Sequence, residues 1–451
     1  MPANVTKKLS ALSTGVGLVL LCYMAYATIY GPYKTTFVHL AIFALCSFVA
    51  LFLDSIIQNI GSKFSILKNF SLLVASVSVL GYFIIEFERL INLWGSTYLS
   101  SWDILLGGFF VIICIEASWR QSLVLGTLAV TSCLYMLFGD YLPGVFSHAG
   151  MDFERFIYIV VYTSEGLFGT GLKVAATYLF MFVILGSVLR VTKTGDFMID
   201  MANGLLGSKV GGAAKGAMAA SAGLGTIVGS SIGNVLATGT FTIPLMKRTG
   251  FEPHVAAAVE TNTSEGAQLV PPILGASAFI MAQLTGIPYE VIALAAVVPA
   301  SLYYLSLYSV VHIEALKHNI SGLPEEEIPS IKKTFTRGWH LLVAPISLFY
   351  LLLVGSYTVT FASLIAIFIA VFFGLLRKHT RFSIKEFITF LSEGLSQSAR
   401  ITALVISIGL IQAAIVATGL GPRLTDIILD FSNGSLLMTA SLTVVAATVL
   451  G

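Results

Sequence analysis

The chain has 451 residues, 56% of them hydrophobic and only 11% charged, with a formal net charge of +2. Soluble domains carry about 25% charged residues, and here the apolar runs recur at membrane-spanning length, so a large soluble enzyme is excluded and a lipid bilayer is the surrounding solvent. The small net charge gives no global field for nucleic acid, and Cys22, Cys46, Cys114 and Cys133 lie inside apolar runs as packing residues without metal-ligand spacing.

Lys7 and Lys8 precede an apolar run over residues 11–30. The run is long and lacks a small-x-small cleavage site, so it predicts a first spanning helix rather than a signal peptide. Further spans are predicted near 36–54, 70–87, 103–119, 122–139 and 172–190. Lys63, Lys68, Arg120, Arg190, Lys193, Lys209 and Lys215 fall at one set of span ends, while the opposite ends hold only Lys34, Arg89 and Arg155. The positive-inside rule therefore puts the N-terminus and the loop after Arg190 in the cytoplasm.

Residues 211–272 are apolar enough for a membrane yet crowded with Gly, Ser, Thr and Asn. Lys215 lies before the Gly-rich stretch and Lys247 and Arg248 beyond it. With both ends cytoplasmic, residues 216–245 enter and return, in arms of about a dozen residues, each too short to cross a core of about 30 Å. This predicts a re-entrant hairpin, over 214–245, with its tip near Gly229-Ser230-Ser231-Ile232-Gly233-Asn234; one Gly-rich packed span is the plainer alternative. Residues 251–264 form a short arm, Pro271-Pro272 interrupts it, and 273–286 resumes. A proline pair cannot continue a helical ladder, so 251–286 reads as one span broken in mid-membrane. Spans near 288–310, 340–356, 358–376, 400–419 and 436–451 follow, with a surface amphipathic helix over Ser383–Leu395.

The organisation expected is all-α and polytopic, with an ion-transporter-like fold built on a re-entrant hairpin and discontinuous helices. Residues 1–102 form an N-terminal helical part, 103–311 the first half of a larger membrane domain, 312–338 a connecting arm and 339–451 a partial second half. Ala-Thr-Gly at 417–419 echoes Ala-Thr-Gly at 237–239, which suggests an inverted repeat whose second half is incomplete.

Breaks of this kind free backbone carbonyls and N–H groups, and half-helix ends add partial charges that attract cations or carboxylates. Ser230, Ser231 and Asn234 are candidates at the hairpin tip; Thr261, Asn262, Thr263, Ser264 and Gln268 are candidates at the break. The plainer reading of each hydroxyl is a bond back to its own helix. Glu265, beside Gly266, is the candidate for proton coupling, and Glu260 reads as pairing with a polar neighbour. Neither a Walker loop nor a catalytic constellation is present, so the chain reads as a transporter and not an enzyme.

The run from Met218 to Pro244, leading into Leu245-Met246-Lys247-Arg248-Thr249-Gly250, resembles the large membrane subunit of tripartite ATP-independent periplasmic (TRAP) transporters. Pro271-Pro272-Ile273-Leu274-Gly275-Ala276-Ser277-Ala278-Phe279-Ile280-Met281-Ala282 and Gly195-Asp196-Phe197 carry the same resemblance. It is strongest for the fused form, in which a small four-helix subunit precedes the large one and a TAXI-type receptor serves both. The resemblance implies an inner-membrane symporter without cofactor. A periplasmic TAXI-type solute-binding protein delivers a small organic anion such as a dicarboxylate or a glutamate-like acid, and Na⁺ is the coupling ion. Carried over onto this chain, the substrate positions are Ser231, Asn234, Ser264, Gly266 and Gln268, and the sodium positions are Gly229, Ser230, Asn234 and Thr263. The family usually shows Thr and Gly where this chain has Glu265 and Ala267, which puts sodium as sole coupling ion in question. Family members also continue past Gly451, so the alternative is a truncated, transport-inactive scaffold that binds a partner.

Overall fold

The computed structural model describes residues 3–58, 62–92, 99–228, 231–271, 273–355, 357–432 and 434–450. Among these residues the chain is helical without a strand, and ten helices are long and apolar enough to cross a membrane. Backbone groups have no water to bond in hydrocarbon, so helices that satisfy them internally are the stable solution. Gly229, Ser230 and Pro272, named above as hairpin-tip and break residues, lie outside the described set.

The chain divides into two compact units. The first holds residues 1–13, 33–173 and 399–451. Its helices Thr36–Gln58, Lys63–Ile85 and Ser101–Gln121 pack around Phe83, whose ring meets Phe110 edge-on at 5.7 Å and Tyr162 at 6.3 Å. Asp103 is fully buried at the start of Ser101–Gln121. It completes a capping box with Ser100 and accepts from both terminal nitrogens of Arg89 at 2.9 and 2.7 Å and from the Tyr82 hydroxyl at 2.6 Å. This bidentate pair is what allows a carboxylate inside an apolar bundle.

The second unit holds residues 14–32 and 174–398. Within it, helix Gly212–Val228 (the first arm) is followed by Ser231–Arg248 (the second arm), then by Pro253–Gly266. The two arms run antiparallel: Asn234 bonds to Ser221, and Ala213 to Met218 share a core with Ile243 and Met246. The arms have 17 and 18 residues, longer than the dozen expected. At about 26 Å each they approach the thickness of the hydrocarbon core, so arm length alone does not forbid a crossing.

Pro253–Gly266 tightens into a 3-10 turn at Ala267–Leu269, and helix resumes at Ala276–Thr285. The groups freed by the break are bonded again. Gly275 N–H donates to the Gln268 carbonyl at 2.8 Å, and Leu274 N–H donates to the Tyr289 hydroxyl at 3.1 Å. Phe279 stacks on Tyr289 with centroids 4.3 Å apart, which fixes the resumed helix against Tyr289–Lys317.

Two further expectations are corrected. Ser383–Leu395 is not a separate surface helix; it opens one continuous 34-residue helix, Ile384–Ala417, because no Pro or Gly-rich break follows Leu395. The last expected span, 436–451, is helical over Leu436–Leu450. Tyr289–Lys317 extends well past residue 311, since nothing in Val310 to Lys317 breaks its ladder. A five-residue π-helical turn, Ala175–Leu179, interrupts the sixth span. The Thr177 carbonyl there accepts from the Thr360 hydroxyl, a partner from another helix.

Candidate functional site

The two arms and the broken helix meet through small residues. A Cβ on Gly225 would lie 2.7 Å from Ala267 Cα, and one on Gly266 would lie 2.6 Å from Tyr303 Cδ1. Only glycine permits such approach, and it places the first arm directly on the break. The tyrosines of Tyr289–Lys317 close the other side: Tyr303 donates to the Asn262 carbonyl and Tyr304 to the Thr263 carbonyl, both at 2.8 Å.

Inside this junction lies a buried polar chain. Asn234 is fully buried, and its Nδ2 donates to the Ser221 carbonyl at 3.0 Å and to the Ser221 hydroxyl at 2.7 Å. Ser221 Oγ lies 3.3 Å from Ser264 Oγ, and Ser264 Oγ lies 3.4 Å from Glu260 Oε1. Glu260 is fully buried and also accepts from Thr238 on Oε1 and from Thr242 on Oε2, the latter at 2.5 Å. Asn234 Oδ1 is buried and has no partner among the described residues. An orphaned acceptor in low dielectric costs about 1–3 kcal/mol, which a cation or a ligand N–H or O–H would offset.

Thr238 and Thr242 stand four residues apart, on one face of the second arm. Each hydroxyl has one proton and two acceptors in reach, its own i−4 carbonyl and the Glu260 carboxylate. No cation pairs with Glu260 within 4.0 Å among the described residues. The hydroxyl shell is therefore what holds this carboxyl group in the interior.

The sequence-derived positions separate into two groups. Asn234, Thr263, Ser264 and Gly266 lie in the buried junction. The Thr263 hydroxyl turns back to the Val259 carbonyl at 2.6 Å, and Thr261 turns back to Ala257 at 2.9 Å, as the plainer reading of hydroxyls anticipates. Ser231 is half-buried at the first residue of the second arm. Glu265 is exposed and accepts from Gln268 Nε2 at 3.0 Å, so it stands outside the buried chain. Gly229 and Ser230 are not among the described residues.

The sequence reading singles out Glu265, whereas the buried glutamate is Glu260. Residues 260 and 265 are five positions apart, about 140° around a helix. Glu260 shares its face with Ala256, Thr263 and Ser264, while Glu265 shares one with Thr261 and Asn262. That periodicity was the available signal. Ser221, Thr238 and Thr242 gave no local signal, because their role depends on another helix. Among the described residues, no group of three or more His, Cys, Asp or Glu side chains could hold a metal ion.

Residues 99–451 match a family model described as "Tripartite ATP-independent periplasmic transporter, DctM component". No curated protein matches the chain.

Proposed function

The chain belongs to the DctM component family of tripartite ATP-independent periplasmic transporters, and on that premise we propose that it imports a small organic anion handed over by a TAXI-type periplasmic solute-binding protein, with a sodium gradient as the driving force. It is a membrane permease component of a transporter, not an enzyme, and a multi-pass protein of the inner membrane. In the proposal, Gly212–Arg248 is the re-entrant hairpin of the first half of an inverted repeat. The substrate is an acid of the dicarboxylate or glutamate class, bound at the junction through Ser231, Asn234, Ser264, Gly266 and Gln268.

The observation that carries the reading is the buried Asn234–Ser221–Ser264–Glu260 chain, set where a helix pair meets a broken helix. Polar groups and irregular backbone are expensive in a membrane and are kept where they line an ion or substrate path. The unpartnered Asn234 Oδ1 supplies an oxygen ligand of the kind that sodium takes. Thr263, Gly229 and Ser230 are the remaining proposed sodium ligands. If a proton is coupled as well, Glu260 is better placed than Glu265, because it is buried and hydroxyl-bonded on both oxygens.

The test is uptake of labelled organic acids into proteoliposomes with the receptor added. The proposal expects uptake that needs both receptor and inward sodium gradient, and that falls at least tenfold in Asn234→Ala. Uptake independent of sodium, with the receptor still required, would remove the sodium assignment and keep the transporter.

A further inference from the structure

Away from the buried junction, the second unit has a cavity of about 340 Å³ lined by charges of both signs. Lys193 caps helix Thr194–Leu206, which carries Asp196 and Asp200 one turn apart, and Lys333 and Arg337 come from helix Ile331–Gly338. His379 completes the lining. Although both charges line one space, none of the three cations makes an ion pair within 4.0 Å among the described residues. Burial, then the neighbouring Asp196, raises the Asp200 carboxyl above its ordinary value, with Arg337 opposing. Burial, then Arg337, lowers His379 below its own, along with Arg377 and Lys193.

The position of the cavity is as informative as its charge. Lys193 follows the span ending at Val191, Arg337 precedes the helix Val343–Leu353, and His379 follows the span Val359–Leu376. Three hydrophobic segments therefore end around it, at headgroup depth, on the face rich in Lys and Arg. Exposed Phe335 and Trp339 flank it on the same segment as Lys333 and Arg337, as interfacial anchors do. Lys193 also holds a left-handed backbone, φ 60°, a conformation that disfavours a non-glycine residue. A glycine would relieve that strain and lose the cation.

The geometry points to a binding site for a phosphate ester that carries an ammonium group, with the phosphate on Lys193, Lys333 and Arg337 and the amine on Asp196 and Asp200. A purely anionic ligand would leave the aspartates uncompensated, and a purely cationic one would leave the basic residues so. At this depth a membrane lipid with a phosphoethanolamine headgroup presents both charges; a soluble phosphoamine presents the same pair from the cytoplasm. The inference does not depend on the coupling ion or the transported acid.

The experiment measures thermal unfolding and lipid retention by native mass spectrometry. The purified chain is loaded with phosphatidylethanolamine, phosphatidylcholine or phosphatidylglycerol, and separately titrated with soluble phosphoethanolamine. The site predicts retention of phosphatidylethanolamine at least about five-fold stronger than of the other two, with Lys193→Gly and Arg337→Gln each lowering it about five-fold. Lys193→Gly is the decisive variant, because it relieves the left-handed backbone while removing the cation, so weaker retention cannot be put down to misfolding. Asp200→Asn removes the preference over phosphatidylglycerol and leaves anionic lipid bound. Stabilisation by soluble phosphoethanolamine with the same pattern of variants would support the site and assign its ligand to solution. Equal retention of all three lipids without any response to phosphoethanolamine, or retention unchanged in Lys193→Gly, would overturn the inference.

Discussion

The Thr242 hydroxyl donates to Glu260 Oε2 at 2.5 Å, from a helix that lies across a turn of the chain from its partner. Both residues are buried, so this bond ties the second arm to the broken helix in a place that water does not reach. Thr242→Val keeps the shape and removes the donor. It is expected to cost about 1–3 kcal/mol, read as a lower unfolding midpoint in detergent. Glu260→Gln is expected to cost less than Glu260→Ala, because it keeps the volume and one acceptor. Equal costs for the two would show that the network contributes through packing alone.

Gly225 allows the first arm to touch the break. Gly225→Ala sets a methyl carbon against backbone, 2.7 Å from Ala267 Cα and 3.0 Å from its carbonyl oxygen, where no side chain can swing away. The arm must shift, at about 1–3 kcal/mol, and uptake is expected to fall more than stability does. Gly195→Ala is the control, since its nearest neighbour is 3.6 Å away. Comparable uptake in both variants would show that close approach at Gly225 is unimportant.

In the first unit, Arg89→Ala strands the fully buried Asp103 without its bidentate partner. Removing one member of a buried pair costs about 3–5 kcal/mol. Arg89 is partly exposed, so about 2–3 kcal/mol is expected. Asp103→Asn is expected to cost less than Arg89→Ala, because the amide keeps hydrogen bonding and leaves no buried charge. Unfolding of the two variants side by side checks the order.

Asp200 gives a prediction with a sign. A carboxyl raised in the folded state contributes stability that is complete below its unfolded value and lost as pH rises through the folded one. The loss falls just above the ordinary aspartate range of about pH 4. Asp200→Asn removes it. In detergent free of phosphatidylethanolamine, the variant is expected to unfold at a higher temperature than the native chain at pH 7, with the gap closing towards pH 4. A gap that widens on acidification would reverse the assigned direction.

Residues 211–286 show how far the sequence reaches. The antiparallel arms and the interruption near Pro271 were legible, because Gly-rich runs, paired charges and a proline pair act locally. The lengths of the arms were not, since the expected enter-and-return stretch starts at residue 216, whereas helix begins at Gly212, where Ala213 and Ala214 share a core with Phe251 and Ala315. Likewise Ser383–Leu395 carries an amphipathic pattern that does not say where its helix ends, and with no breaker after Leu395 the helix runs on as Ile384–Ala417.

By itself the sequence determined the solvent, most of the membrane-spanning helices and the break near Pro271, together with the family resemblance. Composition and hydropathy suffice for these, because a bilayer leaves the backbone few choices. Only the tertiary structure decided which glutamate is buried and what surrounds it. Glu260 and Glu265 have the same chemistry and similar neighbours in sequence. Their difference comes from Thr238 and Thr242, which belong to another helix and reach Glu260 only when the arms fold back. The charge-lined cavity has the same origin, since residues near 193, 200, 337 and 379 become neighbours only when the segments that carry them fold together.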